Sequence, residues 1–275
     1  MQVAKNLVLA GAGWVSIADD GSLASSHVHP GNFLVHSSAP QDPSKLTVAS
    51  ACVHTLSAMN PLIKVSCQPF SFDQHEAAFY QHDTIIASVS SFDQMHKLEA
   101  GARAMGKQLF CCMLRGPNSF TFVSLGKHTY TEKSKDGIKG EPIVIDYPSL
   151  AAALSAPLCK LNKKTHPLYL IVRSADRLEK VKGRVLVPED LPELKALAAK
   201  MVSEEGSAFS PREDLLEEWL CSGGEDHLAL APSSAILGGI VANHVIRAVS
   251  LVSAPINNFF FYSLFNNDGI IEQMG

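Results

Sequence analysis

The chain closes on NNFFFYSLFNNDGIIEQMG, Asn257 to Gly275, in which Phe259, Phe260, Phe261 and Tyr262 stand in a row. A strand with one wet face is apolar at every second position, whereas a strand covered on both faces is apolar at each. The run therefore predicts a strand buried on both sides. Asn266-Asn267-Asp268-Gly269 is turn chemistry, because Asn, Asp and Gly tolerate positive φ. Gly269 to Glu272 then returns as the partner strand, and the chain is expected to end in a hairpin that seals a core.

Working back from the hairpin, Ser233 to Val252 reads as one apolar helix, interrupted by Gly238-Gly239, Asn243, His244 and Arg247. With those interruptions no apolar run reaches the roughly 20 residues of a membrane span. Ahead of this helix the chain is more charged. Ser149 to Met201 is mostly helical in pattern and Arg212 to Leu220 adds an amphipathic helix, so 146–232 is expected to be a helical insertion.

The first 114 residues alternate. Helices are predicted at Gln2–Ala10, at Pro43 or Ser44 to Met59, at His75–Tyr80 and at Phe92–Met105. Strands are predicted at Trp14–Ala18, Ile63–Ser66, Thr84–Ser88 and Gln108–Leu114. Alternation of this kind implies an α/β fold, doubly wound, with a mostly parallel sheet. Phe120–Val123 and His128–Tyr130 break the alternation as β ribbon, and Lys133 to Gly140 reads as a polar link.

The 275 residues, 46% hydrophobic, suffice for one large domain over 1–275 with its insertion. A net charge of −4 disfavours nucleic acid and anionic membranes as partners. No basic segment followed by an apolar one opens the chain, so no signal peptide is expected. Cys52, Cys67, Cys111, Cys112, Cys159 and Cys221 form no C-x-x-C pair and read as reduced, mostly buried thiols of an intracellular protein. His27 and His29 lack a further ligand at metal spacing, and no metal site is expected. The only G-x-G, Gly11 to Gly13, follows a helix and precedes a strand. That is the reverse of a nucleotide-binding turn and reads as a helix stop.

The segments KNLVLAGAGWVSIADD, LSAMNPLIKV, SFTFVSLGKHTYTE, SAILGGIVANHVIRAVS and NNFFFYSLFNNDGIIEQMG occur in this order. Together they resemble the non-catalytic small subunits of SUMO-type activating enzymes, which share the fold of the ThiF/MoeB-like adenylating proteins. The resemblance spans nearly the whole chain. It implies a heterodimer in which a large catalytic subunit binds ATP and Mg²⁺, adenylates the SUMO-type modifier and accepts it as a thioester. The small subunit meets the modifier only indirectly. It also implies a nuclear location, with the cytoplasm as the alternative.

Departures from the catalytic members define what this chain lacks. They place a second carboxylate two residues after the strand-end Asp, where Asp20 is followed by Ser22. They have an Arg where PGNFL has Gly31, and an Asp after the buried strand where IIASVSSFD has Ser90. Without those groups nothing balances a triphosphate or positions its metal. Asp20, and Lys45 at the family's phosphate-contacting position, are therefore expected to be vestiges of a nucleotide site. No catalytic residue is expected, no cofactor bound by this chain alone, and no activity of the chain by itself. Cys221, beside Glu225 and Asp226, is the most exposed thiol and a poor thioester nucleophile.

The first strand of such domains, its glycine loop and an Arg ahead of them are expected to be missing from this sequence. Arg103, Arg115 and Arg247 do not substitute for that Arg. A non-catalytic scaffold, a truncated paralogue and the small subunit for a Nedd-type modifier stay open, the last at odds with the short insertion. The chain is expected to be stable only with a large partner, and the second face of the aromatic run is expected to be covered by the insertion, by the beginning of the full-length chain or by that partner.

Overall fold

The computed structural model describes residues 1–19, 21, 34–35, 47–68, 80–133, 136, 139–161, 165–207, 210–222 and 230–275. Their elements run α1 (Gln2–Leu9), β1 (Trp14–Ala18), α2 (Val48–Met59), β2 (Lys64–Gln68), β3 (Thr84–Ser88), α3 (Phe92–Ala104), β4 (Gln108–Arg115), β5 (Asn118–Ser124), β6 (Lys127–Lys133) and β7 (Lys139–Asp146). After these come α4 (Leu150–Leu154), α5 (Leu168–Lys182), α6 (Leu191–Glu204), α7 (Glu213–Cys221), α8 (Ala231–Ser250), β8 (Phe259–Ser263) and β9 (Asp268–Glu272). The helix expected at His75–Tyr80 lies, except for its last residue, outside the described residues, as do residues 43–46.

The described residues divide into two units, one of Met1–Gln81 with Ala235–Ile246 and one of His82–Ser234 with Arg247–Gly275. In the first, β1 and β2 pair in parallel. Val8, Ile17, Leu34, Val48, Ala49, Cys52 and Leu56 form its core, with Val15 and Val65 packed against it. The end of α1 explains Gly11. At φ +88° its N–H donates to the Val8 carbonyl, and the Ala12 N–H donates to that of Leu7, the paired bonds that stop a helix at a left-handed residue. Asn60 completes this end by donating from Nδ2 to the Val8 carbonyl at 2.9 Å. The middle of α8 belongs to this unit. A Cβ on Gly238 would lie 2.4 Å from Gln2 Cβ and 3.3 Å from the Val3 nitrogen, so glycine permits the close approach of α8 to α1.

The second unit holds a five-stranded sheet ordered β3-β4-β5-β8-β9 and a separate ribbon of β6 and β7. Only β3–β4 is parallel here; β4–β5, β5–β8, β8–β9 and β6–β7 are antiparallel. The expected mostly parallel sheet is thus a mixed one among the described residues. The physical reason is that the short links after β4 and β8 reverse the chain, which leaves antiparallel pairing as the only geometry available. The two strands expected as one ribbon also separate. Phe120–Val123 lies inside β5 at the centre of the sheet, while His128–Tyr130 pairs with β7, part of which had read as a link.

The aromatic run is the strand β8, buried at every position, and it pairs with β9 across a turn in which Asn267 takes φ +46°. Phe259 and Phe261 stack at 5.2 Å, and both lie near Phe120, which also meets Phe92 and Trp219. Phe260 and Tyr262, pointing the other way, are each 4% exposed. Both faces of the run are therefore covered within this chain, so of the covers expected for the second face a partner is not needed. Asn258 pins the return strand: its amide donates to the Met274 carbonyl and its Oδ1 accepts from the Met274 N–H.

Candidate functional site

Open α/β sheets bind ligands at the carboxyl ends of parallel strands, where helix N-termini favour anions. One such end is described in each unit. In the first, Asp19 follows β1, and its Oδ1 accepts from the Gly21 N–H at 3.0 Å. The Gly21 carbonyl in turn accepts from the Val48 N–H at 2.7 Å. The carboxylate thus closes a turn, and Thr47 caps α2 by accepting from the Ser50 N–H at 3.2 Å. Asp20 and Lys45 lie outside the described residues, as do Ser22, His27, His29 and Gly31.

The second end is described in full. After β3 the chain passes through Ser90 and Ser91 into α3. Ser91 Oγ accepts from the Gln94 N–H at 3.2 Å, and Gln94 Oε1 accepts from the Ser90 N–H at 3.1 Å. Glu179 reaches over from α5, and its Oε2 accepts from the Phe92 N–H at 2.9 Å. Two of the orphan donors of this helix end, the N–H groups of Phe92 and Gln94, are taken by side chains of the chain itself, one of them a carboxylate, at the usual seat of an anion. Burial pushes the Glu179 carboxyl above its usual range, opposed by the Phe92 N–H and the Arg115 guanidinium. Arg115, itself 7% exposed, donates from Nη2 to the Ser90 carbonyl at 2.6 Å. Burial lowers its pKa while Glu179 holds it up.

A second charged group packs the same two helices. Asp176 of α5 accepts from His96 Nε2 and from Lys180 Nζ, each at 2.7 Å. Burial raises the Asp176 carboxyl, but these bonds outweigh it and leave the pKa below the ordinary value. No Ser, Thr or Cys is hydrogen-bonded to His96 among the described residues, and the His–Asp pair ties α3 to α5.

The three arginines weighed from sequence are all engaged within the chain. Arg103 bonds Glu99, Ser124 and the Tyr147 carbonyl, Arg115 bonds Ser90, and Arg247 donates to the Ala254 carbonyl at 3.4 Å. Of the cysteines, Cys52, Cys111 and Cys112 are buried, and burial pushes the Cys112 thiol up to about 11. Cys67, Cys159 and Cys221 are exposed, so buried thiols are half of the six, fewer than the sequence implied. Among the described residues no cluster of three His, Cys, Asp or Glu could hold a metal ion, and no helix is long and apolar enough to cross a membrane. Two concavities, of about 470 and 280 Å³, flank the C-terminal strand near Lys160 and Leu161, with none of the strand-end residues in their lining.

Sequence alone missed Glu179, and it named Arg115 only to set it aside as a substitute for the family's Arg. Glu179 lies in the segment read as an insertion, and a signal was present only in its position, an acid among the apolar residues of an amphipathic helix.

Comparison with known proteins bears on what such an occupied strand end means. SUMO-activating enzyme subunit 1A of Arabidopsis thaliana is 30% identical over 280 residues, covering 98% of this chain and 84% of its own length. Subunit 1B-1 of the same plant is 29% identical over the same shares. SUMO-activating enzyme subunit 1 of Xenopus laevis is 24% identical over 302 residues, covering 100% of this chain and 86% of its own. The model of the ThiF family matches residues 1–274. With the match running through both units and both strand ends, the chain belongs to the ThiF family.

Proposed function

We infer that the chain is the non-catalytic small subunit of a heterodimeric activating enzyme for a SUMO-type modifier. The observation that carries this reading is the second strand end. At the position where catalytic members have a Mg²⁺–ATP-holding Asp this chain has Ser90, and the helix that follows is closed by Ser91, Gln94 and Glu179. A triphosphate arriving there would meet a carboxylate in place of free N–H donors, which is repulsive. The full-length likeness to proteins named SUMO-activating enzyme subunit 1 supports the modifier and the pathway.

In this reading the chain is a doubly wound adenylation-type domain over 1–275, with 146–232 as its helical insertion. The parallel pairs β1–β2 and β3–β4, each beside a helix, support that arrangement. ATP and Mg²⁺ bind in the large catalytic subunit, Asp20 and Lys45 are vestiges, and the complex works in the nucleus. The buried thiols and the engaged arginines support a chain that forms no thioester of its own.

The test is ATP–pyrophosphate exchange with SUMO-type modifier, using this chain alone, a SUMO-type catalytic subunit alone, and the two co-expressed. The expected result is exchange by the co-purified pair and none above background by this chain. Exchange by this chain alone, or a modifier adduct on Cys221 that thiols release, would overturn the reading.

A further inference from the structure

Replacing a metal-holding carboxylate by Ser90 spoils the end of β3 as a nucleotide site, but it also leaves that end more positive. Two positive groups remain there. The N-terminus of α3 is worth about half a charge. The Arg115 guanidinium, 7% exposed, stands on the Ser90 carbonyl at 2.6 Å. Phosphate, or the pyrophosphate that adenylation releases, needs no metal to be drawn to such a place.

Glu179 supplies the missing negative charge from a different helix. Its Oε2 accepts from the Phe92 N–H at 2.9 Å, and the Leu186 N–H, in the segment after α5, bonds the same carboxylate. Arg115 favours its charged form. Two backbone N–H groups and a guanidinium around one buried carboxylate, itself 7% exposed, are the kind of donor set that holds a phosphate. Packing alone does not call for a charge here. A glutamine could accept the same Phe92 bond without the cost of burying an ionised group.

The neighbouring acids do not fill this role. Asp93, in the first turn of α3, is exposed and pairs with Lys97 at 2.8 Å. Asp176, one turn back on α5, is taken by His96 and Lys180.

Resting on the function inferred above, we propose that Glu179 is a specificity-determining residue of the heterodimer: an internal oxyanion that holds the seat a phosphate would take at the end of β3, so that ATP, pyrophosphate and phosphate go to the partner's site alone. Ser90 takes away the metal, and Glu179 takes away the attraction that remains.

The test is equilibrium dialysis of the co-expressed pair against radiolabelled orthophosphate at constant ionic strength. The wild-type pair gives the background of the partner's site. Glu179→Ala should bind about one further phosphate per pair, half-saturating on the order of 1 mM, and unlabelled pyrophosphate should displace it. Glu179→Ser, which keeps a hydroxyl for the buried N–H groups, stands in should the alanine variant fail to co-purify. Asp176→Asn removes the same charge from the same helix without opening the seat, and should take up no more phosphate than the wild type.

A variant that folds and takes up no further phosphate overturns the proposal, while exchange by the wild-type pair leaves the inferred function standing. Equal uptake by Asp176→Asn overturns it too, because the effect would then be one of overall charge. So does failure of both Glu179 variants to co-purify with phosphate in every buffer, since a refilled seat should fold. Failure of the wild-type pair to assemble or exchange overturns both.

Discussion

Two adjacent glycines in α8 should respond to the same substitution with opposite signs. Alanine in place of glycine inside a helix gains about 0.8–1.0 kcal/mol of intrinsic propensity. At Gly239 nothing lies within 4 Å of the new Cβ, so that gain should survive nearly whole. At Gly238 the new Cβ would stand 2.4 Å from Gln2 Cβ, well inside the roughly 3.5–4.0 Å of an ordinary carbon contact. The neighbours are the root of a side chain and the backbone of α1, neither of which can swing aside, so α1 has to withdraw. Overpacking of this kind costs about 1–3 kcal/mol. The Asn6 bond to the Gly238 carbonyl, already long at 3.5 Å, would go with it.

The net expectation is a loss of about 1–2 kcal/mol for Gly238→Ala and a gain approaching 1 kcal/mol for Gly239→Ala. With a urea dependence of about 1–3 kcal/mol per molar, the two midpoints should stand on the order of 1 M apart. Trp14 lies in the same unit as these glycines and Trp219 in the other, so fluorescence in a Trp219→Phe background follows the relevant unit. Equal shifts of the two variants in the same direction would refute the close helix approach.

Three further outcomes are expected. Asp176→Asn should cost about 1–3 kcal/mol at neutral pH, less than a fully buried pair because Lys180 is 55% exposed. The folded pKa of Asp176 lies below its unfolded value, so its stabilisation is present above the ordinary carboxylate range and is lost as pH falls through the folded pKa. Urea melts at pH 7 and in strong acid should therefore show the variant's deficit only at the higher pH. Phe260→Ala should cost about 3–5 kcal/mol while Phe265→Ala, 69% exposed, changes the melt by about 0.5 or less. Tyr147→Phe should leave stability unchanged or raise it by about 1 kcal/mol, since the Tyr147 hydroxyl is buried with no partner among the described residues.

The hairpin, the α/β alternation and the stop at Gly11 were legible because each is set by neighbours in sequence. Local rules fix a turn at Asn267 or a cap at Gly11 without reference to the rest of the chain. The closed end of α3 was not legible, since Glu179 meets Phe92 across 87 residues and no periodicity encodes that pairing. The partners of β5 were hidden for the same reason. Its sequence marks a buried strand, but nothing local says that β4 and β8 flank it. β7 was missed on composition: Lys139, Gly140, Glu141 and Pro142 read as a linker, and only the register with β6 makes them a strand. Asp20 and Lys45 were singled out through resemblance, and they lie outside the described residues.

The split make-up of the first unit has a consequence for biosynthesis. Its first part, Met1–Gln81, leaves the ribosome well before Ala235–Ile246, which belongs to the same unit. Asn6 and Gly238, bonded in the finished protein, are 232 residues apart. At about 5–20 residues per second, that spacing means a wait on the order of 10–50 s. Throughout it the side of α1 that receives α8 stays bare on the nascent chain. The second unit has a similar debt, because β8 and β9 are translated later still. The fold is thus closed from its carboxyl end, and a chain arrested before residue 235 would present chaperones with two incomplete units rather than one finished domain and one to come.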